Sequence, residues 1–131
     1  MTTARREADV LRDVLRAFDG AADVRVWRNS VGTTEEWGAS PTGAAVARHI
    51  TYGLGPGSPD VVGVLTVGGV GVMVGIEVKS PTGRVRPEQA AWLAAGAARG
   101  MVTGVARSAD DARAIVAAGR ARIEGVLRGG R

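Results

Sequence analysis

Two β-branched runs, Asp60 to Val67 and Val70 to Lys79, flank the dipeptide Gly68-Gly69, and no other feature constrains the chain as much. Gly-Gly supplies the positive φ angles of a tight two-residue turn, and the runs on either side have strand composition. A turn placed there pairs each residue with the one equally far past it, so Asp60 falls opposite Glu77. Directly paired side chains share a face, with Cβ atoms about 5 Å apart. Lys79 lies on that face too, roughly 6 to 7 Å further along the strand. Two carboxylates and one ammonium therefore converge at one end of an otherwise apolar hairpin. A bulge would shift this register by one residue.

The rest of the chain is read around that hairpin. Thr3 to Phe18 predicts an amphipathic helix closed by Gly20, with Ala4, Ala8, Leu11, Leu15 and Phe18 at helical spacing. Glu7 steps by four, three and four through Leu11, Val14 and Phe18, which aims its carboxylate inward. Asp23 to Asn29 alternates as a short strand, Ser30 to Gly43 reads as a polar loop, and Ala44 to Tyr52 as a further strand. Pro87 and Glu88 open a second helix that carries Gln89 in phase with Trp92, Leu93 and Gly96 and ends at Gly100. Met101 to Ala106 is a strand, and Ser108 with Asp111 caps a third helix that stops near Gly119. Residues 119–131, with Arg120, Arg122, Arg128 and Arg131, read as a basic, frayed tail beyond a domain of residues 1–118. This order predicts one α/β domain, and 131 residues make one domain with a modest core the natural expectation rather than two full ones.

Composition narrows the chemistry. With no cysteine and one histidine, His49, thiolate zinc sites and His-rich clusters are excluded, so any metal sits on oxygen ligands. Glycines interrupt the longest apolar run, and the first residues are charged, so neither a membrane span nor a signal peptide is expected. The net charge of +4 suits an anionic partner. Sixteen of the seventeen basic residues are arginine, in a composition that has the look of GC-rich coding. The one lysine, Lys79, is thereby singled out.

Asp60, Glu77 and Lys79 together suit a hard divalent cation and a phosphate ester. Mg²⁺ accepts one or two carboxylates and completes its shell with water and phosphate oxygens. A metal there would polarise a scissile phosphate, while Lys79 orients the attacking water, accepts its proton or stabilises the pentavalent charge. These roles of Lys79 stay open. Glu7 would complete the metal site or hold a second ion, and Gln89 would reach in from the second helix.

Pro59-Asp60 followed by Glu77-Val78-Lys79 matches the PD-(D/E)xK signature of the restriction-endonuclease-like superfamily, and the flanks resemble its VRR-NUC (virus-type replication-repair nuclease) family. The resembling segments are Glu7 in the first helix, Trp27 to Gly32, Gly57 to Val61, Ile76 to Pro81, and Arg86 to Gln89 before Trp92-Leu93. The resemblance implies a restriction-endonuclease-like core with a mixed sheet of about four to five strands flanked by helices. It also implies that Asp60, Glu77 and the Val78 carbonyl bind Mg²⁺ or Mn²⁺, that Lys79 acts on the water, and that Glu7 and Gln89 assist. Relatives of this size resemble viral or bacterial nucleases of branched DNA, some of them dimeric resolvases of four-way junctions. A cytoplasmic, homodimeric junction resolvase of a phage or bacterium, with a helicase as a possible partner, is the resulting expectation. A flap or nicking endonuclease and a catalytically silent DNA-binding module are the alternatives. Two departures stand out: Arg86 occupies a position where Ser or Thr is the commoner cap, and Thr33 to Thr51 aligns with nothing, so substrate choice is expected there.

Each residue also has a plainer reading. Asp60 alone would pass for a turn residue after Pro59, Glu77 with Lys79 for a cross-strand salt bridge, Glu7 for a helix-start glutamate favoured by the macrodipole, and Gln89 for a helix-start residue bonded to backbone. Arg28 and Asn29 either contact phosphate or merely end a strand. Ser58, Arg84 and Arg86 complete the expected DNA contacts, with Trp37 as the aromatic candidate because Trp92 falls in a core phase. His49 reads as a strand-face residue. Gly53 to Gly57 lacks the Gly-Lys-Ser/Thr ending of a phosphate loop, which excludes nucleotide binding there.

Overall fold

The computed structural model describes residues 5–129. Its elements run α1 (Glu7–Arg16), β1 (Val24–Arg28), β2 (Gly32–Ala39), β3 (Ala45–Tyr52), β4 (Val61–Val67), β5 (Val70–Val78), α2 (Pro87–Ala98), β6 (Val102–Ala106) and α3 (Ala109–Leu127). Four strands form a mixed sheet in the order β1-β4-β5-β6, and β2 with β3 forms a separate two-stranded ribbon. This is the α/β architecture that the sequence predicts.

The Gly68-Gly69 turn has both glycines at positive φ, and β4 pairs β5 in the expected register from Val67 with Val70 to Val61 with Ile76. Every second residue of this hairpin packs inward: Val61, Leu65, Val74, Ile76 and Val78 are fully buried. They meet Val10 and Val14 of α1 and Ala112, Val116 and Ile123 of α3 in one apolar cluster. The opposite sheet face is covered by α2 only over β5 and β6, where Trp92 comes against Gly75.

Three expectations are corrected. The segment 30–43 is not a loop, because Gly32–Ala39 pairs antiparallel with Ala45–Tyr52 along its whole length. It shows no apolar alternation because the ribbon is exposed on both faces and packs on no other element to any extent. The third helix does not stop at Gly119. A Cβ there would lie 2.5 Å from both Val102 methyls, so this glycine serves close packing on β6, and the helix continues to bury Ile123. Arg120, expected in a frayed tail, donates from Nε to Asp23 Oδ2 at 2.7 Å and holds that carboxyl below its ordinary pKa. The first helix is shorter than the predicted span. Thr3 and Ala4 lie outside the described residues, Phe18 falls beyond the helix end, and the buried line runs through Val10 and Val14.

Candidate active site

The carboxylate end of the β4–β5 hairpin opens into a cleft of about 600 Å³ whose lining includes Arg28, Tyr52, Ser58, Asp60, Arg86 and Gln89. Asp60 sits one residue before β4, held by its neighbours on both sides. Its backbone carbonyl accepts from the Asn29 N–H at 2.7 Å, and its Oδ2 accepts from the Val78 N–H at 2.9 Å.

Glu77 is only 1% exposed. Its Oε1 accepts from Gln89 Nε2 at 3.0 Å, whereas no N–H or O–H donor of the described residues reaches its fully buried Oε2. An unpaired buried carboxylate oxygen is costly, and a proton shared with Asp60, a water or a cation would satisfy it. Burial, first, and then the adjacent Asp60 carboxylate push the Glu77 carboxyl up from 4.5 to about 8. Lys79 pulls it down, and Glu7 adds a smaller push.

Lys79 follows the end of β5 and is itself buried, its N–H donating to the Ala106 carbonyl at 3.0 Å. Its stem lies under the turn that follows, where a Cβ on Gly83 would meet Lys79 Cδ at 3.5 Å. That turn is pinned by Arg107, whose Nη1 donates to the carbonyls of Ser80 and Gly83, each at 2.7 Å. Arg107 belongs to the scaffold of the site, and nothing in the sequence marked it.

Gln89 satisfies both of its readings at once. Its Oε1 accepts from the Arg86 N–H at 2.9 Å, while its Nε2 holds Glu77. An arginine side chain has no acceptor with which to cap a helix, so this backbone contact is what ties the start of α2.

Glu7 differs from expectation. It is exposed, because as the first residue of α1 its side chain leans past the helix end rather than onto a preceding turn. Among the described residues no three acidic or imidazole side chains gather into a metal cluster, although Glu7 lies near enough to add to the upward push on Glu77. Asp60 and Glu77 remain as a pair, with the Val78 carbonyl between Glu77 and Lys79 in the chain.

The expected DNA contacts separate into three kinds. Asn29 and Ser58 are committed internally: Asn29 Nδ2 donates to Ser58 Oγ at 2.9 Å and to the Pro59 carbonyl at 2.8 Å, and Ser58 Oγ donates to the Gly55 carbonyl at 2.6 Å. They shape the turn before Asp60 and have no polar group to spare for phosphate. Arg28 and Arg86 line the cleft, and Arg84 is exposed on the turn beside it. Trp37, two-thirds exposed, stands on the β2–β3 ribbon and takes no part in the cleft. His49 is an exposed ribbon residue 3.9 Å from Glu35 across the strands.

No helix among the described residues is long and apolar enough to cross a membrane. Residues 3–110 match the family model of the VRR-NUC domain, a span that takes in every group of this site. No curated protein and no solved structure matches the chain.

Proposed function

Because the chain belongs to the VRR-NUC family of nucleases, we propose that it is a divalent-metal-dependent endonuclease that hydrolyses phosphodiester bonds in branched DNA, a four-way junction first among them. One observation carries this reading: a buried carboxylate, Glu77, with an oxygen that no donor among the described residues reaches, set beside the carboxylate of Asp60. Such a pair is a donor set for a hard cation. Asp60, Glu77 and the Val78 carbonyl would hold Mg²⁺ or Mn²⁺. When bound, the ion neutralises charge on the scissile phosphate and acidifies a water.

The remaining work falls to the chain. Gln89 fixes Glu77 Oε1 and so keeps Oε2 as its open acceptor. The Val78 N–H likewise fixes one Asp60 oxygen. Lys79, whose stem lies under the turn that Arg107 pins, is close enough to lower the Glu77 pKa, and its ammonium would orient the attacking water and offset charge developing on the phosphoryl oxygens. Arg28, Arg84 and Arg86 hold flanking phosphates, which carry affinity but little sequence information. Glu7, exposed but near Glu77, adds negative charge that favours a cation there. A two-fold dimer would present two such clefts to the paired strands of a junction.

The test is incubation of the protein with end-labelled four-way junction, flap, duplex and single-stranded DNA under Mg²⁺, Mn²⁺ or EDTA, beside Glu77→Ala. Paired symmetric cuts in the junction, lost in EDTA and in the variant, are the expected result. Cuts confined to flaps would move the reading to a flap endonuclease. Binding without cutting under either metal would leave a DNA-binding module in its place.

A further inference from the structure

The sheet face that carries Glu77 also carries an open apolar hollow. Toward β1, α2 no longer covers that face, and Trp27, Leu54, Val64 and Met73 are each between about two-fifths and one-half exposed. They line a concavity of about 590 Å³ floored by Val62, a volume in the range of small-ligand sites. Gly71 keeps it open: a Cβ there would meet only the Val64 Cγ2, at 3.4 Å. Arg28, Asn29 and Ser30 line both this hollow and the carboxylate cleft, so the two adjoin. Arg25, opposite Val64 on the same face, and Arg28 have no acidic partner among the described residues.

We propose that this hollow receives an unpaired nucleobase of the DNA strand whose phosphate lies in the adjoining cleft, with Trp27 as the stacking platform. The inference rests on the nuclease reading and adds a substrate feature to it, namely an unstacked nucleotide beside the cut. An indole with aliphatic walls accepts the π-face of any base, and arginines at the rim meet its phosphates. The obvious competitor, a second copy packed hollow to hollow about a two-fold axis, would bring the same unpaired arginines to both sides of the contact, and no acidic side chain among the described residues lines the hollow to meet them. DNA supplies the anions that these arginines lack.

The experiment compares three DNAs in EDTA: a branched DNA with 2-aminopurine at an unpaired nucleotide at the branch, the same DNA abasic there, and a fully paired duplex. The proteins are the full chain, Trp27→Ala, Trp27→Phe and Gly71→Leu. Trp27 is half exposed and Gly71 is not at positive φ, so the variants keep the fold. The full chain quenches the 2-aminopurine and binds that DNA about 5- to 150-fold tighter than the abasic one. Trp27→Ala and Gly71→Leu lose the preference while keeping duplex affinity, and Trp27→Phe retains most of it. A preference that survives Trp27→Ala overturns the inference. So does a Trp27→Ala protein that changes only its oligomeric state, since the hollow is then an interface between copies. Repeating the assay with Mg²⁺ separates the two readings. Cutting that ignores the unpaired base in all variants sinks the base site and spares the nuclease, whereas base-dependent binding with no cutting by the full chain sinks the nuclease and spares the base site.

Discussion

Two antiparallel hairpins of nearly equal length stand in this chain, β2–β3 with eight residues in each strand and β4–β5 with seven and nine. They share a backbone hydrogen-bonding scheme and almost nothing else. The second buries alternate side chains of both strands in the core and ends on Asp60 and Glu77. The first is exposed nearly throughout and leans on cross-strand pairs such as Glu36 with Arg48, 2.7 Å apart. An isolated two-stranded ribbon is marginal in water. Strand pairing alone therefore does not make a site: burial holds two carboxylates side by side, and the ribbon has no burial to offer.

The contrast is sharpest in activity. Glu77→Ala and Lys79→Ala are each expected to lower DNA cleavage by about 10²- to 10⁴-fold or more, and Lys79→Arg to fail as well, because a planar guanidinium neither replaces the ammonium nor gives up a proton. Glu35→Ala on the ribbon should leave the rate unchanged. Comparable losses in both hairpins, measured on one junction substrate, would break the comparison.

Stability should divide in the same way. Leu65→Ala, in a fully buried position, is expected to cost about 2 to 5 kcal/mol in urea denaturation. Ile50→Ala, more than a third exposed, should cost less than about 1 kcal/mol.

The third difference is in pH dependence. A carboxyl raised on folding from 4.5 to about 8 binds its proton more tightly in the folded state. Its contribution is complete below pH about 4.5 and is lost as pH rises to about 8, on the order of a few kcal/mol in EDTA. Glu77→Gln should flatten that loss, and Mg²⁺ should restore stability at pH 8 in the unsubstituted protein alone. A flat profile in both proteins would mean that Glu77 is ionised in the fold.

The smallest expected effect is that of removing the ribbon. Replacing residues 33–51 with a short Gly-Ser turn should shift the Tm by less than about 5 °C. A cooperative collapse would show that the ribbon belongs to the folding unit.

What the sequence revealed follows the same divide. The β4–β5 register was legible because β-branched runs on both sides of Gly68-Gly69 leave one turn position, and the motif on it announced the cleft. Gln89 was legible by its phase in α2. β2 was not: Gly32 to Ala39 has no buried face to impose alternation, so Thr34, Glu36 and Gly38 look like loop. Gly119 looked like a helix stop because a glycine required for close approach to Val102 is indistinguishable in one sequence from a glycine required for φ. Arg107 could not be read at all, since its partners are backbone carbonyls 24 and 27 residues away.

Asn29 has a consequence of another kind. Just past the strand that precedes the ribbon, it grips the chain that follows the ribbon, accepting from the Leu54 N–H and donating to Ser58 and Pro59. The two ends of the ribbon are thus stapled together below it, and Asp60 is anchored on the near side of the staple. A change of length or sequence between Gly32 and Tyr52 is therefore expected to stop at the staple and leave both carboxylates where they are.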